Sequence, residues 1–266
     1  MPSFRSPSLV LRSYDFSEAD RVLVLFTREY GKVRALARGV RRLGSRLGGG
    51  LGLLSLAEVQ WHGQEHRDLC RVTQVQLLAS FPRLKADLPA FGRAARLAEL
   101  LLHFTADRQP LPEVFDLAQE ALSLLEAGVA PAAAGSWFEM TLLDHLGYRP
   151  GLEACQRCGS TTARQAYHVE NGGLLCRGCR PSGGLGLTPA GRRILEGLLN
   201  NGPAWVSRLR LSPSLEQEVE NVLNAALQYQ LGRKLKSDGF RQAVAGLAPG
   251  RRERVRIPVP GARSGS

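Results

Sequence analysis

Four of the five cysteines in this chain fall within one stretch, CQRCGSTTARQAYHVENGGLLCRGC, as Cys155-x2-Cys158, seventeen intervening residues, and Cys176-x2-Cys179. Thiolates in two such pairs are the donor set of a zinc ribbon. Each pair makes a tight turn, and the two turns together offer four sulfurs to one tetrahedral ion. Gly159 and Gly178 are expected to ease the backbone around the metal. Zinc is favoured over an iron–sulfur cluster because the cluster-binding spacings differ. A site closed by four thiolates has no open position for water, so the Zn2+ expected here is structural and its binding is coupled to folding of the segment. Cys70 stands apart in the strand-like run DLCRVTQVQLL and reads as a small buried hydrophobe.

Other chemistry is sparse. His168 and Glu170, followed by Cys176 and Cys179, come near the H-x-E…P-C-x-x-C signature of zinc deaminases. Leu175 stands where that signature has proline, only five residues separate Glu170 from Cys176, and Cys155 and Cys158 would be left without a role. No phosphate-binding loop, dinucleotide fingerprint, nucleophile elbow or H-E-x-x-H is present. Glu18 and Asp20, beside Arg21, read as a structural pairing in a turn. Trp137, Met140 and His145 read as packing residues. No catalytic constellation emerges, and no enzyme activity is expected.

The strongest functional feature is basic. Between Arg28 and Arg46 there are seven basic residues against one acid, Glu29. Along KVRALAR, Val33, Ala35 and Ala37 alternate with Lys32, Arg34, Leu36 and Arg38, so strand geometry gives one face a basic character. The run continues into GVRRLGSRLGGGLG, a glycine-rich loop carrying Arg41, Arg42 and Arg46. Lys32, Arg34, Arg38, Arg41, Arg42 and Arg46 are therefore the candidate phosphate-binding residues. Aromatic residues make up 6% of the chain, which is thin for extensive base stacking, so binding is expected to lean on phosphates and to depend steeply on salt.

The elements that must position these residues change in character along the chain. PSLVLRSYD, DRVLVLFT, KVRALARG, LAEVQWHG and LCRVTQVQLL are five strand candidates within residues 1–80, enough for a small barrel, of which the OB-fold is the commonest five-stranded type that handles nucleic acid and an SH3-like barrel is the alternative. From about residue 84 the period becomes helical. Leu97, Leu100, Leu101 and Phe104 form one stripe, and Val114, Leu117, Ala121, Leu124 and Leu125 form a second. Phe138, Leu142 and Leu146 form a third, stopped by Gly147. After the cysteines, TPAGRRILEGLLNN opens with a threonine cap and proline. SPSLEQEVENVLNAALQYQLGRKLKS repeats that start and is expected to run to Arg233, Lys234 and Lys236, with Leu215, Val219, Val222, Leu223, Ala226 and Tyr229 on its inner face. The predicted fold is α+β: an OB-fold at 1–80, a helical domain at 81–150 and 184–245, a zinc-ribbon insert at 151–183, and a disordered basic tail at 246–266.

A formal net charge of +11, carried mostly by arginine, favours a polyanionic partner. No apolar run of transmembrane length exists, and MPSFRSPSLVLRSYD lacks a signal-peptide core. A reducing, cytoplasmic setting is expected, with no membrane partner.

Taken together, YDFSEADRVLVLFTREYGKVRALARGVRR, from Tyr14 to Arg42, then LLDHLGYRP, the four-cysteine segment and the threonine-capped helix resemble, in order, the RecO family of bacterial DNA repair and recombination mediators. Glu18, Asp20, Arg21, Thr27, Gly31, Lys32 and Gly39 carry the N-terminal part of the likeness. The resemblance implies binding to single- and double-stranded DNA and annealing of complementary strands. It also implies cooperation with RecR in loading RecA onto DNA coated by single-stranded DNA-binding protein, whose acidic tail the family recognises, with RecF as a further partner, and a nucleoid-associated location. Its basic N-terminal surface corresponds here to Lys32, Arg34, Arg38, Arg41, Arg42 and Arg46. The competing reading is a zinc-ribbon transcription or RNA-associated factor, in which Arg157, Arg164, Arg177 and Arg180 of the ribbon itself read nucleic acid.

Overall fold

The structure is a computed structural model that describes residues 2–42, 44–45, 47–63, 69–161, 165–179 and 183–247. The five strand candidates all form: β1 (Ser3–Asp15), β2 (Arg21–Thr27), β3 (Gly31–Ala37), β4 (Leu56–His62) and β5 (Cys70–Ala79). They close into a barrel in the order β1-β2-β3-β5-β4, with β3 and β5 parallel through Ala35↔Cys70 and Leu36↔Arg71. Closure follows from the length of β1, which pairs with β4 through its first half and with β2 through its second, bending at an irregularity between Val10 and Arg12. Val10, Leu23, Leu25, Val33, Ala35, Val59, Trp61 and Val72 fill the interior, the alternation that a half-buried strand demands. Cys70 joins them as a buried thiol, and burial pushes its pKa up, so it packs as an inert apolar group.

Helices follow at α1 (Pro82–Ala86), α2 (Leu88–Phe104), α3 (Pro112–Glu126) and α4 (Pro131–His145). Leu9, Leu11 and Phe26 point out of the barrel into the helical core, and Phe26 meets Phe115 at 6.0 Å between ring centres. Periodicity predicts one apolar stripe on α4, but the helix is buried all round from Ala132 to Met140. Its alanine, glycine and serine residues let neighbours approach on every side, so it forms the centre of the helical part.

The remaining helices are α5 (Pro189–Asn200), α6 (Pro203–Val206), α7 (Pro213–Leu231) and α8 (Lys236–Leu247). Thr188 and Ser212 cap α5 and α7 through the backbone N–H groups of Gly191 and Leu215, each followed by the expected proline. The far end of α7 departs from expectation. Gly232, at φ 65°, takes the left-handed conformation that stops a helix, so Arg233 and Lys234 lie beyond the stop and Lys236 opens α8. The stripe ends early as well: Leu227 is buried, whereas Tyr229 is half exposed.

A buried ionic cluster joins four of these helices. Arg96 on α2 is fully buried; it donates from Nε to Glu139 Oε1 at 2.6 Å and from Nη2 to Glu139 Oε2 at 3.2 Å, and it also pairs with Asp238 of α8 and Asn224 of α7. Arg93 and Arg241 both reach Glu220, so three cations meet three carboxylates. Burial works against the Glu139 carboxylate, yet Arg96, with help from Arg93 and Arg241, holds its pKa below the usual carboxylate range.

Candidate nucleic-acid interface and metal centre

The basic run divides in two. Arg28 turns toward α3 and grips Asp116 with Nε and Nη2 at 2.8 and 2.9 Å. Lys32 also turns inward, which corrects its assignment as a phosphate contact. Its Nζ donates to the carbonyls of Leu102 at 2.8 Å and Thr105 at 2.7 Å and lies 3.4 Å from Asp107, with the residue 9% exposed. The physical reason is that the chain after α2 crosses the start of β3, where the Arg108 N–H donates to the Lys32 carbonyl at 2.9 Å. Alternation along a strand reports which side chains share a face, but not what covers one end of that face. Lys32→Met is expected to strand two carbonyls and lower stability by about 1–3 kcal/mol, read as a lower denaturation midpoint with single-strand binding intact. An unchanged midpoint would return Lys32 to the surface.

The rest of the run faces solvent. Arg34 is exposed on β3 and lies loosely, at 4.0 Å, from Asp107. Arg38, Arg41 and Arg42 are exposed in the turn after β3, and Arg41 lies 3.2 Å from Asp15. Neither Arg38 nor Arg42 makes an ion pair among the described residues. Arg46 lies outside the described residues.

Cross-strand register adds members that composition did not single out. Arg12 on β1 stands opposite Val24, which stands opposite Arg34; Tyr14 stands opposite Val22, then Leu36, then Arg71 of β5. The outer face of β1-β2-β3-β5 therefore carries Arg12, Arg34 and Arg71 around the buried Val22, Val24 and Leu36, and the Arg12 guanidinium sits 5.7 Å from the centre of the Tyr14 ring. Same-parity spacing of Arg12 and Tyr14 in the first strand was the available signal; without the register it has no partner. In the OB fold, the face of the second and third strands, with the loops joining the first to the second and the fourth to the fifth strand, is where oligonucleotides bind.

The turn before β2 is tied to the turn after β3. Asp20 Oδ1 accepts the Gly39 N–H at 2.8 Å, and the Arg41 N–H donates to the Ala19 carbonyl at 3.1 Å. The acid pair read from the sequence thus has a different use: Asp20 anchors a neighbouring loop, while Arg21 pairs with Asp15 at 2.9 Å.

At the metal centre the sequence folds as its spacing requires. The Cys155–Cys158 turn closes with the Gly159 N–H donating to the Cys155 carbonyl at 2.9 Å, and the second turn closes from the Cys179 N–H to the Cys176 carbonyl at 3.0 Å. Gly159 has φ 71°, a conformation that favours glycine. Gly178 is not in that region, so only the first glycine is required by its backbone. The strands β6 (Gln165–His168) and β7 (Gly173–Cys176) form a hairpin, with β8 (Leu185–Gly186) added beside β6. Tyr167 and Leu174 enter the helical core, and Leu175 packs beside Cys155 and Cys176.

All four sulfurs lie within 4.8 Å of one another. An ion with four sulfur bonds of about 2.3 Å needs sulfur–sulfur edges of about 3.8 Å, and Cys158 Sγ lies 3.7 Å from Cys176 Sγ. Without an ion the thiols oppose one another. Backbone N–H groups, that of Cys176 foremost, lower the Cys155 thiol to about 6, whereas hydrogen bonds with Cys158 and Cys176 push Cys179 up to about 12. A bound cation takes its cysteine ligands as thiolates. The donor set therefore fits a metal ion, and neither His168 nor Glu170 joins it. Of the ribbon arginines, Arg157 donates to the Cys179 carbonyl at 3.1 Å and Arg177 is exposed; Arg164 and Arg180 lie outside the described residues. No helix among the described residues is long and apolar enough to cross a membrane.

Comparison with known proteins supplies an independent line. A family model described as Recombination protein O N terminal matches residues 1–81, and one described as Recombination protein O C terminal matches residues 85–239. The chain is 35% identical over 247 residues to a protein of Desulfitobacterium hafniense named DNA repair protein RecO, covering 89% of this chain and 88% of that one. It is 34% identical over 253 residues to a protein of the same name from Anaeromyxobacter sp., covering 93% and 99%. A Myxococcus xanthus protein of that name is 32% identical over 250 residues, covering 92% and 99%.

Proposed function

The chain belongs to the RecO family, and from that premise we propose that it acts in DNA repair and homologous recombination as a mediator without catalytic turnover. It binds single- and double-stranded DNA on the outer face of β1-β2-β3 and the turn after β3, and it anneals complementary strands. With RecR, and with RecF, it helps load RecA onto DNA coated by single-stranded DNA-binding protein, whose acidic tail it recognises, in the nucleoid. The observation that carries the DNA-binding part is the cluster of exposed Arg34, Arg38, Arg41 and Arg42 on an OB-type face, with Arg38 and Arg42 free of acidic partners among the described residues. Arg46 extends this set from the sequence.

Annealing then follows from charge. Guanidinium groups neutralise phosphates on two strands at once, and the reduced repulsion lets complementary bases meet. The four cysteines hold Zn2+, which keeps the ribbon folded and takes no part in chemistry. Family membership is what favours this reading over a zinc-ribbon transcription or RNA-associated factor.

The triple substitution R38A/R41A/R42A tests the annealing step. All three side chains are exposed, so the fold is retained. The variant is expected to anneal complementary oligonucleotides far more slowly than the parent chain at the same concentration. Undiminished annealing by a folded triple variant would overturn the charge-screening account.

A further inference from the structure

We propose that Phe16 is a base-stacking residue, giving the site a preference for unpaired strands that its arginines alone do not provide. This rests on the reading of the β1-β2-β3 face as the DNA site. Phe16 is 61% exposed at the tip between β1 and β2, and Tyr14, on the same hairpin, is 41% exposed. A single exposed aromatic needs no explanation, but three features set this one apart.

Phe16 borders a groove of about 410 Å³ that is also lined by Leu36, Arg38, Arg42, Asp20 and Gly39. An exposed aromatic residue at the edge of a mostly polar groove, beside two guanidinium groups without ion pairs among the described residues, is a combination suited to a base and its flanking phosphates. The tip is also held in place. The Phe16 N–H donates to the Asp20 carbonyl at 3.0 Å, and Asp20 in turn holds Gly39 of the arginine-bearing turn. The backbone positions that carry the ring and the guanidiniums are thereby held on one support, which brings the two kinds of group to the same groove. Finally, Asp20 has one carboxylate oxygen engaged with the Gly39 N–H, so the one acid in the groove already has a structural partner.

Stacking on Phe16 needs a base whose face is free. In a duplex the faces are covered by neighbouring pairs, so the ring adds little there and the arginines act alone. The two contributions separate by salt: removing a guanidinium changes the slope of affinity against salt, whereas removing a ring lowers affinity at every salt concentration.

The experiment titrates Phe16→Ala, Phe16→Trp and the parent chain with a fluorescent mixed-sequence single strand and with the matching duplex, across several salt concentrations. Phe16→Ala is expected to lose roughly ten-fold or more in single-strand affinity, with unchanged salt slope and unchanged duplex affinity. Phe16→Trp is expected to retain binding, and its indole emission to be quenched by the single strand and not by the duplex. Parent-like single-strand binding by Phe16→Ala would overturn the proposal, as would an equal loss on both DNA forms. If R38A/R41A/R42A loses affinity and slope while Phe16→Ala loses nothing, the stacking role fails and the DNA site stands; if neither matters, the site itself lies elsewhere.

Discussion

Stripping the metal with a strong chelator, or replacing Cys158 with serine, is expected to unfold the segment from Cys155 to Cys179 while leaving single-strand binding in place. The effect on the segment should be large, because metal binding of order 10–16 kcal/mol is coupled to folding in sites of this kind. The hairpin of β6 and β7 is short, and its two cysteine turns are joined through their sulfurs more than through an apolar core: Leu175 is the one fully buried aliphatic side chain in that small cluster. Loss of the ribbon would also withdraw Tyr167 and Leu174 from the helical core. The measurements are zinc content by mass and the rate of proteolytic cleavage within the ribbon, with a DNA titration alongside. Zinc loss with faster cleavage and retained DNA binding is the expected pattern. DNA binding that disappears in step with the metal would instead favour the ribbon as the reader of nucleic acid, through Arg177 and its neighbours.

Replacing Arg96 with methionine is expected to destabilise the helical part by about 3–5 kcal/mol, the usual cost of leaving a buried charge without its partner. Glu139 is buried on the central helix α4 and accepts from Arg96 Nε and Nη2, so the substitution removes the one cation bonded to its carboxylate and leaves Arg93 and Arg241 to act on it only from a distance. Asp238 would lose its partner on α2 at the same time, loosening α8. Adding Glu139→Gln or Glu139→Met to Arg96→Met should recover much of the loss, since a buried pair replaced as a unit is often close to neutral. Thermal or denaturant midpoints of the single and double variants decide the matter. Equal midpoints for the parent and Arg96→Met would show that the cluster contributes nothing. The pH dependence has a definite sign. Because the folded pKa of Glu139 lies below its ordinary value, its contribution is fully present above about pH 4.5 and is lost as pH falls through the lowered value.

The legible part of the fold was the part set by local period. Alternation in five short runs located all five strands, because barrel interiors select one face of each. Thr188 and Ser212 announced two helix starts, because a cap is a local bond. The cysteine spacing located the four-sulfur cluster for the same reason: the cysteines come in pairs only three residues apart. What was not legible depended on tertiary covering. Lys32 looks like Arg34 along the strand, and only the crossing chain near Thr105 and Asp107 distinguishes them. The buried role of Arg96 gives no sequence signal, since an arginine on an amphipathic helix usually lies at the surface. Helix α8, as long as α5, has no such start signal: it lacks the capping residue and first-turn proline that open α5 and α7, and it follows closely on the stop at Gly232. Phe16 and Tyr14 drew no notice because exposure, not residue type, is what makes them unusual.

The claim on which the account rests is that the exposed arginines beside the OB face are the DNA site. The most direct test is a fluorescent single-strand titration of the parent chain and R38A/R41A/R42A over a range of salt concentrations. Single strands lose about 0.7 in the logarithmic salt slope per phosphate contact, so three lost contacts should flatten the slope by about 2 and weaken binding roughly 50-fold near 0.15 M salt. Superimposable titrations with equal slopes would contradict the account and move the site away from this face.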